Sequence, residues 1–354
     1  MRTYQDIHDL SGMERLRREL AIDPHHLKRA RRAFYKNRSG PAGALAALPD
    51  RIRKSAGDII EFHPLDLSDR QDSKIDGASK LVFRTHDDLL IETVILRVKS
   101  GRIALCISSQ AGCAVGCTFC ATGSAGLRRN LTTSEIVDQI VQADLLLVDE
   151  GRKVRNIVLM GMGEPFQNES AVLGALDLLE HPECFHHSLA RVCVSTVGIP
   201  DSMVRTAQRF PRVRLALSLH SAREHVRASL IPLASRYSLE DLRRAVGRVN
   251  DIQTQPVMLE YLLLRGINDQ SADLVALASL AADLDVRINL IPFNSIESAP
   301  GIRGTPQSQR SAFAQGLKAK GFTVTLRHSL GADIAAACGQ LVRNAPRVVS
   351  ESGF

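Results

Sequence analysis

Short runs of apolar and β-branched residues recur through the second half of the chain, at 156–160, 191–195, 213–219, 258–264, 287–291 and 323–326, and each has the length of a buried strand. Between them lie longer stretches whose apolar residues return every three or four positions, which predicts helices over 170–181, 239–249, 272–284 and 308–320. A further helix is expected over 133–150, with Thr133, Ser134 and Glu135 as a capped start. Strand and helix in alternation argue for an α/β fold with a parallel sheet covered by helices. Ligands gather at the carboxyl ends of the strands in such sheets. Here those ends lead into GMGEP at 161–165, Thr196 to Gly198, His220 and Ser221, Arg265 and Gly266, and Pro292 to Asn294.

The front of the chain has another texture. Residues 10–60 are rich in Arg, Leu and Ala and predict helices over 12–20, 24–36 and 42–56, broken at Pro24, Gly40 and Pro41. Apolar runs at 81–84, 90–98 and 103–107, with turn signals between them, predict a β-meander. The expected organisation is a small helical domain over 1–78, a β-meander extension over 79–105, a core over 106–345 and a tail over 346–354.

Composition adds bounds. The 354 residues, 44% of them hydrophobic, suffice for a large core, and no apolar run approaches a membrane span. The charged start does not have the form of a signal peptide, so a cytoplasmic protein without a membrane partner is expected. Seven cysteines, an odd number, suit a reducing compartment better than a secreted disulfide framework. The net charge of +7 leans towards polyanions. Arg15, Arg17, Arg18, Lys28, Arg29, Arg31, Arg32, Lys36 and Arg38 are either a solvated helix surface or a phosphate footprint, and charge alone does not decide between them.

The chemistry concentrates at 106–120, CISSQAGCAVGCTFC. Cys113, Cys117 and Cys120 stand at C-x3-C-x2-C on a loop rich in Gly, Ser and Ala, a spacing that can hold three corners of a cubane iron–sulfur cluster. The fourth iron would then be open to a small molecule. A structural zinc site would need a distant fourth ligand, and three inert core thiols would not need a polar loop. The strand ends supply a second constellation: Gly163 allows close backbone approach, Glu164 offers a carboxylate to an ammonium group, and Ser195, Ser218, His220 and Asn294 are polar groups leaving buried strands. Cys338 falls among small residues on an expected short helix, whereas Cys184 and Cys193 read as core thiols.

The C-x3-C-x2-C loop resembles that of radical S-adenosylmethionine enzymes. Its flanks narrow the match, because CISSQAGC, GLRRNLT, GMGEP, SLHS, INLIPFN and DIAAACGQL resemble the RlmN/Cfr family of ribosomal RNA adenine methyltransferases over about residues 80–345. The resemblance implies a partial (β/α)6 radical-SAM barrel, with the small N-terminal domain contacting RNA. It implies a [4Fe–4S] cluster on Cys113, Cys117 and Cys120, and two S-adenosylmethionine molecules per turnover. Gly163, Glu164, Ser195, Ser218, His220 and Asn294 match the family's contacts to that cofactor.

The adenine carbons C2 and C8 are not nucleophiles, which is why a radical route is needed. In the family, a residue matching Cys338 is first methylated and its carbon radical then adds to the base. Residues matching Glu92 and Cys106 take up the proton and release the product by forming a disulfide with Cys338. The implied substrate is C2 of adenine 2503 in 23S ribosomal RNA, with transfer RNA as a further substrate and a cellular electron donor as partner. A monomer is expected. Ser195 to Gly198 and His328 to Gly331 lean instead towards the C8-methylating branch, whereas Pro165 and Pro292 to Asn294 resemble the C2 branch. Two rivals remain: a non-catalytic iron–sulfur RNA-binding or redox-sensing protein, which would need neither Cys106 nor Cys338, and a radical enzyme acting on a small molecule or peptide.

Overall fold

The computed structural model describes residues 4–98 and 100–341. The expected tail at 346–354, and the last residues of the expected core, lie outside the described residues. One ten-stranded sheet organises the chain, and its spatial order follows the chain order. The strands are β1 (Leu65–Asp72), β2 (Ser79–Thr85), β3 (Leu90–Arg97), β4 (Ile103–Cys106) and β5 (Val154–Leu159), followed by β6 (Val192–Thr196), β7 (Arg214–Ser218), β8 (Val257–Leu263), β9 (Val286–Pro292) and β10 (Thr323–Leu326). Pairing is antiparallel from β1 to β4 and parallel from β4 to β10.

Every strand expected from the apolar runs is present, with ends displaced by at most two residues. β1 had no such signal. After the buried Leu65 it continues with Asp, Ser, Arg and Gln, most of them facing solvent, because it is an edge strand paired only with β2. The meander leads into a partial α/β barrel whose crossover helices include Thr133–Leu146, Glu169–Glu180, Leu239–Ile252, Ser271–Ala281 and Gln307–Ala319. The cap of the first of these is Thr132. Its hydroxyl accepts the Glu135 N–H at 3.1 Å, and the Glu135 carboxylate accepts the Thr132 N–H at 2.8 Å. Helices at Pro200–Arg209 and Glu224–Leu230 complete the barrel.

The front module comprises helices Leu10–Glu19, Pro24–Arg31, Gly40–Ala46 and Asp50–Ile59, with a π-helical turn at Arg32–Lys36. The single helix expected over 42–56 is therefore two. Pro49 has no N–H to continue the first and disfavours helical backbone at Leu48, so the chain turns before Asp50. Module and barrel share one hydrophobic core, in which Ile7, Met13, Leu16, Phe34 and Tyr35 are continuous with the sheet residues. Among the described residues no helix is long and apolar enough to cross a membrane.

A buried polar node ties module to barrel. Asp138 accepts hydrogen bonds from His63 Nδ1 at 2.7 Å, the Leu65 N–H at 3.2 Å and Gln142 Nε2 at 2.9 Å. His8 lies beside it, bonded through Nδ1 to the Tyr35 hydroxyl at 2.9 Å, and burial lowers its pKa to about 4. Removing one member leaves buried donors without an acceptor, so Asp138→Ala is expected to cost about 3 kcal/mol. Denaturant titration checks the cost, and hydrogen exchange should show the loosening concentrated in the front helices. An unchanged midpoint would show that this node does not hold the two parts together.

Candidate active site

Directly opposed residues of neighbouring strands point to the same face of a sheet. Lys80 opposes Val94, Val94 opposes Cys106, and Cys106 opposes Val158, so these four form one row across β2 to β5. Beyond Cys106 the chain leaves the sheet, and a small hairpin, Gln110–Gly112 with Leu127–Asn130, flanks the three-cysteine loop.

That loop faces the carboxyl ends of the parallel strands across a cavity with about 990 Å³ of empty space, part of it open to solvent. Cys113, Cys117, Cys120, Gly163, Glu164, Ser195, Ser218, His220, Asn294 and Cys338 all line it. The geometry thus brings together every candidate residue except Cys106 and Glu92. Gly163 shows why glycine stands there: its φ is +103°, and a Cβ would meet the Gln110 side chain at 2.6 Å. Glu164 is buried and held by the N–H groups of Val197 (2.8 Å) and Phe166 (3.0 Å). Burial raises its pKa, against those bonds and one from the Thr196 side chain, and the lone pair still free on the carboxylate suits an arriving ammonium. The Ser195 and Ser218 hydroxyls lie 3.2 Å apart.

His220 is a hydrogen-bonding group and not a proton carrier. Its Nδ1 accepts the Leu262 N–H at 3.0 Å, and burial, assisted by Arg227, lowers its pKa to about 3. The neutral ring therefore carries its proton on Nε2. Arg227 is itself buried, with guanidinium bonds to the carbonyls of Leu219 (3.2 Å) and Val197. Burial lowers its pKa only to about 10, so it is a permanent cation beside the cysteine loop.

Burial pushes the Cys113 thiol up to about 12, whereas the N–H groups of Val115 and Glu164 pull it down. Burial also raises Cys117, with Arg227 opposing. Buried thiolates supported by backbone N–H groups and a nearby cation suit a cluster's sulfur ligands. Among the described residues no group of three His, Cys, Asp or Glu side chains is placed to hold one metal ion. A cubane spreads its ligands over separate corners, and three soft thiolate donors on one loop suit such a cluster.

Cys338 faces two cavities. The second has about 1810 Å³ of empty space, open at one side, and is walled by Val94, Leu96, Ala104, Cys106, Val158 and Arg327 among others. Met160, Ile291, Leu341 and Cys338 line both. Cys338 is exposed where it meets these cavities, and its thiol is pushed up to about 11 by desolvation, with Arg327 opposing. Cys106 is pushed up to about 12 by burial and then by Cys338, and Arg327 again opposes. All seven cysteines are free, so the expected Cys106–Cys338 disulfide is not formed here. The expected helix around Cys338 is also absent. Ala332–Ile334 make one short 3-10 turn, and left-handed backbone at Gly331, Ala335 and Gly339 stops it from extending.

Glu92 lines neither cavity. It is fully buried and paired with Lys80 at 3.5 Å, on the face of β3 that Val94 and Leu96 present to the second cavity. Sequence reasoning missed Arg227, Glu260 and Arg327. Glu260 is buried on β8, accepts from Asn289 Nδ2 with both carboxylate oxygens at 3.0 and 3.1 Å, and lies 3.8 Å from Arg327. A charged residue inside an apolar strand run was the available signal, and it was readable for Glu260 alone.

A cysteine loop facing the carboxyl ends of a partial barrel defines the class, and comparison agrees. Residues 107–278 match the Radical SAM superfamily. A probable RNA methyltransferase of Rhodopirellula baltica is 46% identical over 95% of this chain and 87% of its own. A probable dual-specificity RNA methyltransferase RlmN of Moorella thermoacetica is 36% identical over 94% and 96%. The crystal structure of a radical SAM methyltransferase from Sphaerobacter thermophilus superposes with a TM-score of 0.91 at 36% identity, covering 95% of this chain and 99% of that one. The chain belongs to the RlmN/Cfr family of radical S-adenosylmethionine RNA methyltransferases, and it is a methyltransferase. Membership implies S-adenosylmethionine and a [4Fe–4S] cluster.

The tautomer of His220 is directly testable. Nitrogen NMR of labelled imidazoles should show its Nε2 protonated and its ring neutral from pH 8 down to pH 5, since its pKa lies near 3. A ring that titrates near pH 6.5 would contradict the assigned hydrogen bond.

Proposed function

We propose that this enzyme methylates an sp2 carbon of adenine in RNA, C2 of adenine 2503 in 23S ribosomal RNA, by way of a methyl group carried on Cys338. The observation that carries this reading is the position of Cys338 in the wall between the cluster-side cavity and the one that holds Cys106. The dual specificity named for the relatives fits transfer RNA as a second substrate.

Glu164 would hold the ammonium of S-adenosylmethionine, with Ser195, Ser218, His220 Nε2–H and Asn294 as further polar contacts, and Cys113, Cys117 and Cys120 would hold the cluster. When bound, the cluster supplies the electron that cleaves one S-adenosylmethionine, while another supplies the methyl group, so two are used per turnover. Cys338 Sγ accepts that methyl group as a nucleophile and keeps the carbon covalently placed against the base. Glu92 takes the proton lost from the base carbon. Cys106 Sγ, as a thiolate, then attacks Cys338 Sγ; the sulfur–carbon bond breaks with its electron pair leaving on the carbon, which takes up a proton to complete the methyl group, and the disulfide formed is reopened by a cellular reductant. Arg327 favours both thiolates, which are otherwise suppressed by burial.

The second cavity receives the adenine, and its solvent-open side receives the adjoining RNA. In the front module the RNA-contacting cations are the exposed Arg29 and Arg32, because Arg31 is buried against Glu183 at 3.2 Å and Lys28 lies 3.7 Å from the same carboxylate. We place the enzyme in the cytoplasm as a monomer, where RNA and reducing conditions coincide.

Nucleoside mass spectrometry of RNA from cells with and without the gene should show 2-methyladenosine only with it. Gene-dependent 8-methyladenosine would move the reading to the C8 branch, and neither nucleoside would overturn it. Replacing Cys113, Cys117 or Cys120 by Ala should abolish iron binding and cleavage of S-adenosylmethionine. A triple variant that still bound the iron would remove the cluster assignment. Cys338→Ala should form no protein–RNA adduct, whereas Cys106→Ala should accumulate one, visible on denaturing gels and sensitive to nuclease. Normal turnover by Cys106→Ala would make that thiol a packing residue.

A further inference from the structure

Lys80 is almost entirely buried, with 5% of its surface exposed, in the row it shares with Val94, Cys106 and Val158. A buried ammonium is costly unless it is paired and hydrogen-bonded, and an apolar residue would fill such a row without that cost. Its Nζ has two partners, each at 3.5 Å: the Glu92 carboxylate, 1% exposed, and the backbone carbonyl of Ala335. Ala335 stands three residues before Cys338 and is the non-glycine residue of its segment held at positive φ, +49°. Left-handed backbone at alanine is unfavourable, and it persists where the surroundings hold it. The ammonium that donates to its carbonyl is such a hold.

Other tethers of segment 331–341 lie on either side. Asp76 accepts the Gly331 N–H at 2.7 Å and Asp333 accepts the Lys74 N–H at 3.1 Å, which fixes the start to the β1–β2 turn. The Ala121 N–H donates to Gly339 at 2.8 Å and Asn294 Nδ2 to Cys338 at 3.1 Å, which fixes the end to the cluster side. Between these two anchorages Lys80 binds the segment at the point where it passes over the sheet.

We propose that Lys80 is a positioning residue whose ammonium joins Glu92 to the Cys338 segment at Ala335, so that proton acceptor and methyl carrier keep one spacing across the second cavity. The inference rests on the reading of Glu92 and Cys338 given above. Loss of the ammonium loosens the segment at Ala335 and removes a counter-charge of a buried carboxylate, while the cysteine loop, Glu164 and the anchorages of the segment's end on the cluster side keep their own bonds. S-Adenosylmethionine cleavage then continues while carbon transfer fails.

The test uses the full-length, cluster-loaded enzyme and its variants Lys80→Met, Lys80→Gln and Lys80→Arg. Hydrogen exchange in 331–341 should quicken about tenfold in Lys80→Met, with the barrel strands unchanged. The ratio of cleaved S-adenosylmethionine to methylated adenine should rise by about tenfold. Lys80→Arg, which keeps the cation, should restore both towards the wild type. If Lys80→Met does not fold, Lys80→Gln is read by the same two criteria. Unchanged segment exchange and an unchanged ratio would overturn the proposal, as would a rise in exchange spread evenly over the whole sheet. Failure of the underlying reading is separate: the wild type itself would then carry no methyl group on Cys338 by peptide mass spectrometry, whatever Lys80 does to the segment.

Discussion

β4 pairs antiparallel with β3 on one side and parallel with β5 on the other, and the rest of the molecule depends on its register. Its residues alternate: Ile103 and Leu105 enter the core, while Ala104 and Cys106 face the second cavity. A slip of one residue would exchange the faces, turn the Cys106 sulfur away and expose two large apolar side chains. Burying each of these is worth roughly 2 kcal/mol, which makes the slip unfavourable even for so short a strand. The same strand delivers the cysteine loop, so its register fixes Cys106 against Cys338 and sets where the loop begins.

Charge inside this site is placed with care for its partners. Glu164 rests on two backbone N–H groups, Arg227 on two carbonyls, Glu260 on Asn289 and Arg327, and Lys80 on Glu92. Buried pairs of this sort add little net stability compared with apolar packing, because desolvation offsets the attraction. What they provide is fixed direction in a medium of low dielectric, where a carboxylate or guanidinium acts strongly on whatever enters. The raised thiols of Cys106 and Cys338 show the other side of the same condition. Dryness that strengthens a hydrogen bond also suppresses a thiolate, and Arg327, facing the cavity shared by both sulfurs, opposes that suppression.

Most of this architecture was readable from residue order. A buried parallel strand must be an apolar run, and each such run from 81 to 326 became a strand. β1 was not readable, because an edge strand with one solvated face carries Asp, Ser, Arg and Gln like a loop. The Cys338 segment misled in the opposite way. Small residues around Cys338 suit a helix by propensity, yet tertiary tethers at Asp76, Lys80 and Ala121 override it. Candidate residues within motifs, apart from Cys106 and Glu92, converged on one cavity, whereas Arg227 and Arg327 look like any surface arginine until the fold encloses or aims them.

The span that matches the Radical SAM superfamily, residues 107–278, contains the cysteine loop, Glu164, Ser195, Ser218 and His220, which is one side of the site. It contains neither Cys106, Glu92 nor Cys338. The second cavity is walled by the meander before that span and by β9, Arg327 and the Cys338 segment after it, with Val158 and Met160 from within the span. A barrel that generates a radical needs only the first set. Only a group free to reach both chambers can join them, and a strand residue is fixed to one face of its sheet. Cys338 reaches both from a segment turned by left-handed residues and tethered at both ends, whereas Cys106, on β4, faces the second cavity alone.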